Sequence, residues 1–406
     1  MDVGATKSQL EAATTQPAAT GLKIRTIETF FLQASLAEPF GWSKAWTDIR
    51  TAALVRVTAQ DGTQGWGEAG VMATPSVVGV IEDLIAPRLI GRDVFDRQGI
   101  LDDMASVFKA AGQRGLFIQA LSGIDMAIWD VIGRALGKPI YRLLGGVPML
   151  EVPAYATGLY YHRTEPKNLL ARRLKEVEGY LARGFKGIKM KIGGLAERAD
   201  LDQVEKVRRA VGEEACLMVD ANQAYDRQAA RRVGHALDSL DVFWFEEPLP
   251  NEDLVGFREL RSAVRVPIAG GELDSTRFAF RDILAANALD IIQPDLTMVG
   301  GFSEAQRIWH LAEASHVLCY PHVWGSAIAL TAALHFVATL PPARIVSGVN
   351  PIAQRPALEF DQTPNPLRDH LLTDVPVLQN GTVRVPDSPG LGIDVDASAI
   401  QKYRIR

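Results

Sequence analysis

"GFKGIKMKIGG", residues 184–194, places Lys189 and Lys191 two apart inside an apolar run of Ile188, Met190 and Ile192. In an extended chain, residues i and i+2 project from one face. The two ammonium groups therefore stand side by side, and the three apolar side chains share the opposite face. A wet edge strand would give the same pattern, since lysines are common on exposed edges. The rest of the chain decides between an edge and an interior site.

Runs of the same kind recur on both sides. They are "VPAYATG" (152–158), "GIKMKIG" (187–193), "CLMVDAN" (216–222), "VFWFEEP" (242–248), "PIAGGE" (267–272), "IIQPDL" (291–296) and "VLCYPHV" (317–323), with amphipathic helical stretches between them. Strand–helix alternation implies a parallel sheet covered by helices, and eight units close a barrel of roughly 250 residues. Seven runs are plain, and "ARIVSG" (343–348) is the expected eighth. Polar residues end the runs at a steady interval. Lys191 to Asp220 is 29 residues, Asp220 to Glu246 and Glu246 to Glu272 are 26 each, Glu272 to Asp295 is 23, and Asp295 to His322 is 27. Each step is about the length of one strand–helix unit. The residues thus belong to one end of successive strands, the C-terminal end at which barrel enzymes place their catalytic groups.

The flanks read differently. Residues 23–67 are β-rich, with Asp61-Gly62 as a hairpin signal and "ASLAEPFGWSKAW" (34–46) as a loop carrying Phe40, Trp42 and Trp46. In "LFIQALSGIDMAIWDVIGRALG", Ile118, Leu121, Ile124, Ile128 and Val131 recur at helical spacing, and Gly137 stops the helix. The expected organisation is a flexible leader (1–22), an α+β capping unit (23–150), a (β/α) barrel of TIM type (151–375) and a tail (376–406) that returns to the cap. At 406 residues and net charge −5, with no basic tract, the chain offers nothing to nucleic acid. Cys216 and Cys319 imply no disulfide framework. No run of 18 apolar residues and no signal-like h-region is present, so no membrane association is expected and the expected location is cytoplasmic.

The residue types set the chemistry. Asp220, Glu246 and Glu272, on neighbouring strands, form a hard all-oxygen donor set suited to Mg²⁺, or Mn²⁺, over Zn²⁺. Glu247 points away from Glu246 on a regular strand, so Glu246 is the expected ligand. A second ammonium and a dication beside a lysine would lower its pKa, so the pair Lys189 and Lys191 is what a carbon-acid base at neutral pH needs. Asp295 behind His322 would fix the imidazole tautomer and supply a second acid/base group. Metal, lysine base and histidine together suit removal of a proton α to a carboxylate through an enediolate.

"KMKIG", "VDANQ", "WFEEP", "GGE", "QPD" followed by "GG", "PHVWG" and the helix "GIDMAIWD" resemble the enolase superfamily, specifically its mandelate racemase-like branch, over nearly everything from residue 23 onward. The resemblance implies Asp220, Glu246 and Glu272 as Mg²⁺ ligands, Lys191 as one base with Lys189 assisting, the His322–Asp295 dyad as the other acid/base group, and Asn222 as a substrate contact. It implies Glu359, in "ALEFDQTPNPLR", as a donor to the substrate carboxylate, and a dimer-based homo-oligomer, up to an octamer. "ALEFDQTPNPLRDHLL" and "VPDSPGLGID" resemble members acting on acid sugars, galactarolactone cycloisomerases among them, although Leu273 and Asp274 stand where those carry bulkier side chains. The expected reaction is dehydration of an aldonate or aldarate. Cycloisomerisation of an acid-sugar lactone and racemisation or epimerisation of a 2-hydroxy acid are the alternatives. A silent binding protein would require a lost ligand or base, and no named position is lost.

Overall fold

The computed structural model describes residues 21–146, 150–342 and 350–406. The chain opens with an antiparallel sheet of β1 (Ile24–Gly41), β2 (Trp46–Ala59) and β3 (Gln64–Glu68), in that spatial order. The aromatic loop expected at 34–46 is mostly strand. β1 continues to Gly41, with Phe40 opposite Thr47 and Gly41 opposite Trp46 after a register shift beyond Ser35. Such an irregularity accommodates Pro39, which cannot donate to a regular ladder.

The helix Leu116–Leu136 packs its apolar side chains into the core shared with β2, and Gly137 closes it in the left-handed conformation (φ 63°). It is long and apolar enough to cross a membrane, yet its side chains are almost all buried inside the fold. Asp125 docks it on the second unit. Its carboxylate accepts from Ser303 N at 2.9 Å and Ser303 Oγ at 2.6 Å. Gly301 (φ 75°) permits that approach, because a Cβ there would lie 2.4 Å from Asp125.

The second unit carries the parallel strands β4 (Glu151–Gly158), β5 (Gly187–Lys191), β6 (Cys216–Asp220), β7 (Val242–Glu246), β8 (Ile268–Gly270), β9 (Ile291–Ile292), β10 (Leu318–Cys319) and β11 (Leu358–Asp361). They run β10-β9-β8-β7-β6-β5-β4, and β11 pairs with the free side of β4. This is the strand order of a TIM-type barrel. Its seam is spanned by Val323 N, which donates to Glu359 Oε2 at 3.1 Å. The strand beside β4 is therefore Leu358–Asp361; the run 343–348 lies outside the described residues. The tail does more than return to the cap. β12 (Leu378–Gln379) pairs with β13 (Thr382–Arg384), which runs antiparallel to the start of β4. The last residues then reach β1, where Ile405 N donates to Phe31 O at 2.8 Å.

Side chains alternate across each strand. Outward residues such as Ile188, Met190, Val219 and Phe245 join the core under the helices. Inward residues Tyr155, Met218, Trp244, Ala269, Ile291 and Tyr320 make a separate apolar plug inside the barrel. That plug is the floor of the site.

Candidate active site

Register brings the charged strand ends together. Lys191 pairs with Asp220, and Asp220 with Glu246, so three adjacent strands deliver their last inward side chains at one level. Lys189 sits one layer deeper, level with Thr157 and Met218. The lysine face is interior: Lys189 is fully buried and Lys191 nearly so.

Asp220, Glu246 and Glu272 can each offer one oxygen, all within 4.8 Å of one another. Glu272 Oε2 is buried and accepts no hydrogen bond. Three converging carboxylates with an unsatisfied buried oxygen fit a hard divalent cation, which prefers oxygen ligands. Glu246 is oriented from behind, where its Oε2 accepts from Trp244 Nε1 at 2.8 Å and Gln293 Nε2 at 2.7 Å. Burial pushes its carboxyl up to about 7 despite Lys189. Burial would raise Asp220 too, but Lys191 and Lys189 hold it below the usual carboxylate range. Glu247 is not remote as alternation suggests. It leaves the strand with φ 39°, lines the cavity and is raised by burial and Glu272.

The sequence expectation for the lysines counted a bound dication; the protein groups alone act in the other direction. Lys189 Nζ lies 2.6 Å from Glu246, 2.8 Å from Glu359 and 4.0 Å from Asp220. Lys191 Nζ donates to Asp220. Burial favours neutral amines, yet the carboxylates outweigh it and both pKa values are raised rather than lowered. The reason is proximity: each ammonium touches a carboxylate, and these contacts dominate the repulsion between the lysines. Arg173, itself buried, donates to the Lys191 carbonyl at 3.0 Å and fixes that strand end.

His322 Nδ1 lies 2.7 Å from Asp295 Oδ2, and Nε2 lies 3.4 Å from Glu272 Oε2. Asp295 is held by Thr297, whose N and Oγ1 donate at 2.7 and 2.6 Å. Burial would lower the imidazole, but Glu272, Glu359 and Asp295 raise it to about 10. Asn222 follows Asp220 in the left-handed region (φ 44°), donates from its N to Asp220 Oδ1 at 2.8 Å and lines the cavity. Glu359 reaches the same cavity from β11 and accepts from Thr157 Oγ1 at 2.5 Å. A donor role needs a protonated carboxyl. Here burial, which would raise it, is outweighed by Lys189 and then His322, which hold it at about 2 as an acceptor.

The nine residues singled out from the sequence thus meet at one end of the barrel, and five of them, Lys191, Asn222, Glu272, His322 and Glu359, line a cavity of about 170 Å³. Sequence reasoning missed Thr157, Gln293 and Trp244. Gln293 and Trp244 stand two residues before Asp295 and Glu246, the same i, i+2 signal that picked out the lysines. It also missed Glu68, at the end of β3. Its buried carboxylate accepts from Ser326 N at 3.0 Å, Ser326 Oγ at 2.5 Å and Ala329 N at 3.0 Å. The capping unit thereby caps the barrel helix Ala327–Val337, which follows the His322 loop. No local pattern announces such a partner.

Residues 26–145 match the N-terminal domain family of mandelate racemase and muconate lactonizing enzyme, and residues 172–399 the enolase C-terminal domain-like family. D-galactarolactone cycloisomerase of Agrobacterium fabrum is 38% identical over 384 residues, 95% of this chain and 99% of that one. Arabinonate dehydratase of Saccharolobus solfataricus is 34% identical, covering 86% of this chain and 90% of its own. Among solved structures, a mutant L-talarate/galactarate dehydratase liganded with Mg and L-glucarate superposes with TM-score 0.84 at 27% identity, covering 100% of this chain and 96% of that one.

Proposed function

The chain belongs to the mandelate racemase/muconate lactonizing enzyme family of the enolase superfamily, and on that premise we propose that it removes the proton α to the carboxylate of an acid sugar and expels the β-oxygen. It is an enzyme of lyase or isomerase type with Mg²⁺ as cofactor. The observation that carries the reading is the convergence of Lys191 and His322 on the cavity that Glu272 of the carboxylate triad lines.

Asp220, Glu246 and Glu272 would hold the cation. When bound, it supplies Lewis-acid stabilisation of the charge that develops on the substrate carboxylate. The rest falls to the chain's own residues. Lys191 Nζ, as the free amine, takes the α-proton, and the C–H electron pair forms a double bond to the carboxylate carbon as its C=O pair moves onto oxygen, giving the enediolate. Engagement of Asp220 elsewhere removes the partner that keeps this ammonium charged. His322 is charged by Asp295, Glu272 and Glu359, and it gives its proton to the departing β-oxygen. The C–O bond breaks as the enediolate pair forms the C=C bond, and the enol becomes a 2-keto-3-deoxy acid. Lys189 and Glu359 brace the mouth by their mutual ion pair, and Asn222 contacts the substrate.

If the β-oxygen is a hydroxyl, the reaction is dehydration, our first reading. If it belongs to a lactone, the same steps make a cycloisomerisation. The 38% identity to D-galactarolactone cycloisomerase along nearly the full chain supports that second reading. We further propose a cytoplasmic homo-oligomer built on dimers, with a small-molecule carboxylate as its ligand. Light scattering on the purified protein tests the assembly. Proton NMR in D₂O with Mg²⁺ tests the reaction: a keto-deoxy acid from an aldonate or aldarate identifies the dehydratase, and lactone consumption identifies the cycloisomerase.

A further inference from the structure

We infer that the site selects substrates with a single carboxylate, an aldonate or an acid-sugar lactone, over aldarates that carry a second carboxylate at the far end. The inference rests on the acid-sugar reading above and narrows it.

A dicarboxylate needs a second cationic anchor, because a carboxylate placed against apolar or anionic groups loses hydration without recovering it. The cavity lining provides little. Two of its cations, Lys191 and His322, are committed to the reacting end. Apart from them, Lys44 is the only cation among the described lining residues. It stands exposed at the rim, 3.5 Å from Gln223 Oε1. The rest of the non-catalytic wall is largely apolar: Trp42, Val71, Met72, Leu273 and Trp324.

A guanidinium behind that wall, Arg50, is already spent. Arg50 lies 4.2 Å over the Trp324 ring, but its Nη2 donates to Asp361 at 2.7 Å and its Nε to Pro364 O at 3.2 Å. Burying a freed Asp361 would undo any gain from redirecting it. The lining also contributes the carboxylates Glu247, Glu272 and Glu359. A cation held by the triad offsets part of that charge for one substrate carboxylate. A second would meet an apolar lip and these carboxylates, with only the rim Lys44 left to offset its charge. An uncharged distal hydroxyl, methyl or lactone ring meets neither penalty.

The test uses the full-length Mg²⁺-loaded enzyme and aldonate/aldarate pairs of equal carbon number and matched configuration at C2 and C3. The ratio of kcat/KM is expected to favour the monoacid by at least about a hundredfold. Met72→Arg puts a cation on the lip at a residue that is 45% exposed, so folding is not at stake. It should raise kcat/KM for the diacid and narrow the ratio at least tenfold. A diacid turned over as well as or better than its monoacid overturns the inference while leaving the proposed reaction standing. If neither class exchanges its α-proton, the reaction itself fails. Selectivity is then read by calorimetric titration of the same pairs, where equal or tighter diacid binding overturns it and tighter monoacid binding supports it.

Discussion

Acid should destabilise this protein through one buried histidine far from the chemistry. His335 lies on the helix Ala327–Val337 and is fully buried. Its Nε2 lies 3.0 Å from Leu391 O, and its Nδ1 accepts from Tyr141 N at 3.4 Å. That pattern satisfies a neutral ring with its proton on Nε2. An added proton on Nδ1 would face a backbone N–H with no acceptor. Burial lowers the pKa from 6.5 to about 4, and the bond to Leu391 only partly offsets it. Below pH 6.5 the unfolded chain takes up a proton that the folded chain refuses. The stabilisation is therefore complete above pH 6.5 and is lost as pH falls through about 4. At about 1.36 kcal/mol per tenfold, the loss amounts to about 3 kcal/mol. His335→Gln keeps a neutral donor near Leu391 and cannot titrate. At pH 7.5 the variant should be the less stable protein, by about 1–2 kcal/mol of lost packing. By pH 4 the difference should shift about 3 kcal/mol in the variant's favour. Urea unfolding followed by tryptophan fluorescence at half-unit pH steps measures it. Parallel curves from pH 7.5 to 4 would refute the reasoning.

Glu68 has the opposite sign. Burial raises it to about 7 against the donors from Ser326 and Ala329, so its contribution is fully present below pH 4.5 and declines as pH rises through 7. Glu68→Gln should flatten stability between pH 5 and 8 by about 3 kcal/mol relative to the parent, measured by the same titration. Glu246→Gln removes one carboxylate of the triad and should weaken Mg²⁺ binding at least tenfold by calorimetry; unchanged affinity would shift the ligand to Glu247. Lys191→Ala and His322→Asn should each abolish turnover while circular dichroism stays that of the parent. Near-normal rates in both would defeat the acid/base assignment.

The site was legible because its residues obey two short-range rules at once. Alternation places Lys189 and Lys191 on one face, and the length of a strand–helix unit spaces Asp220, Glu246, Glu272, Asp295 and His322 evenly. What escaped depends on contacts between distant segments. β11 is four residues long and ends on Asp361, so it reads as loop, while "ARIVSG" reads as strand. Its identity as a barrel strand comes from pairing with β4, about 200 residues away, which no local pattern carries. The 37 residues from His322 to Glu359 thus exceed the regular interval, yet β11 follows β10 as the next strand. The carboxylate contacts of the lysines escaped for a related reason. Spacing shows that two ammonium groups are neighbours, but not that a carboxylate sits closer to each.

The central claim is abstraction of an α-proton by Lys191 beside the carboxylate triad, with His322 as the acid for the departing β-oxygen. Its most direct test is proton NMR of the Mg²⁺-loaded enzyme in D₂O with a panel of aldonates, aldarates and their lactones. The account predicts loss of the C2 proton signal from at least one acid sugar, with a keto-deoxy product, abolished in Lys191→Ala and His322→Asn and by removal of Mg²⁺. A folded, Mg²⁺-binding protein that leaves every C2 proton in place across the panel would contradict it.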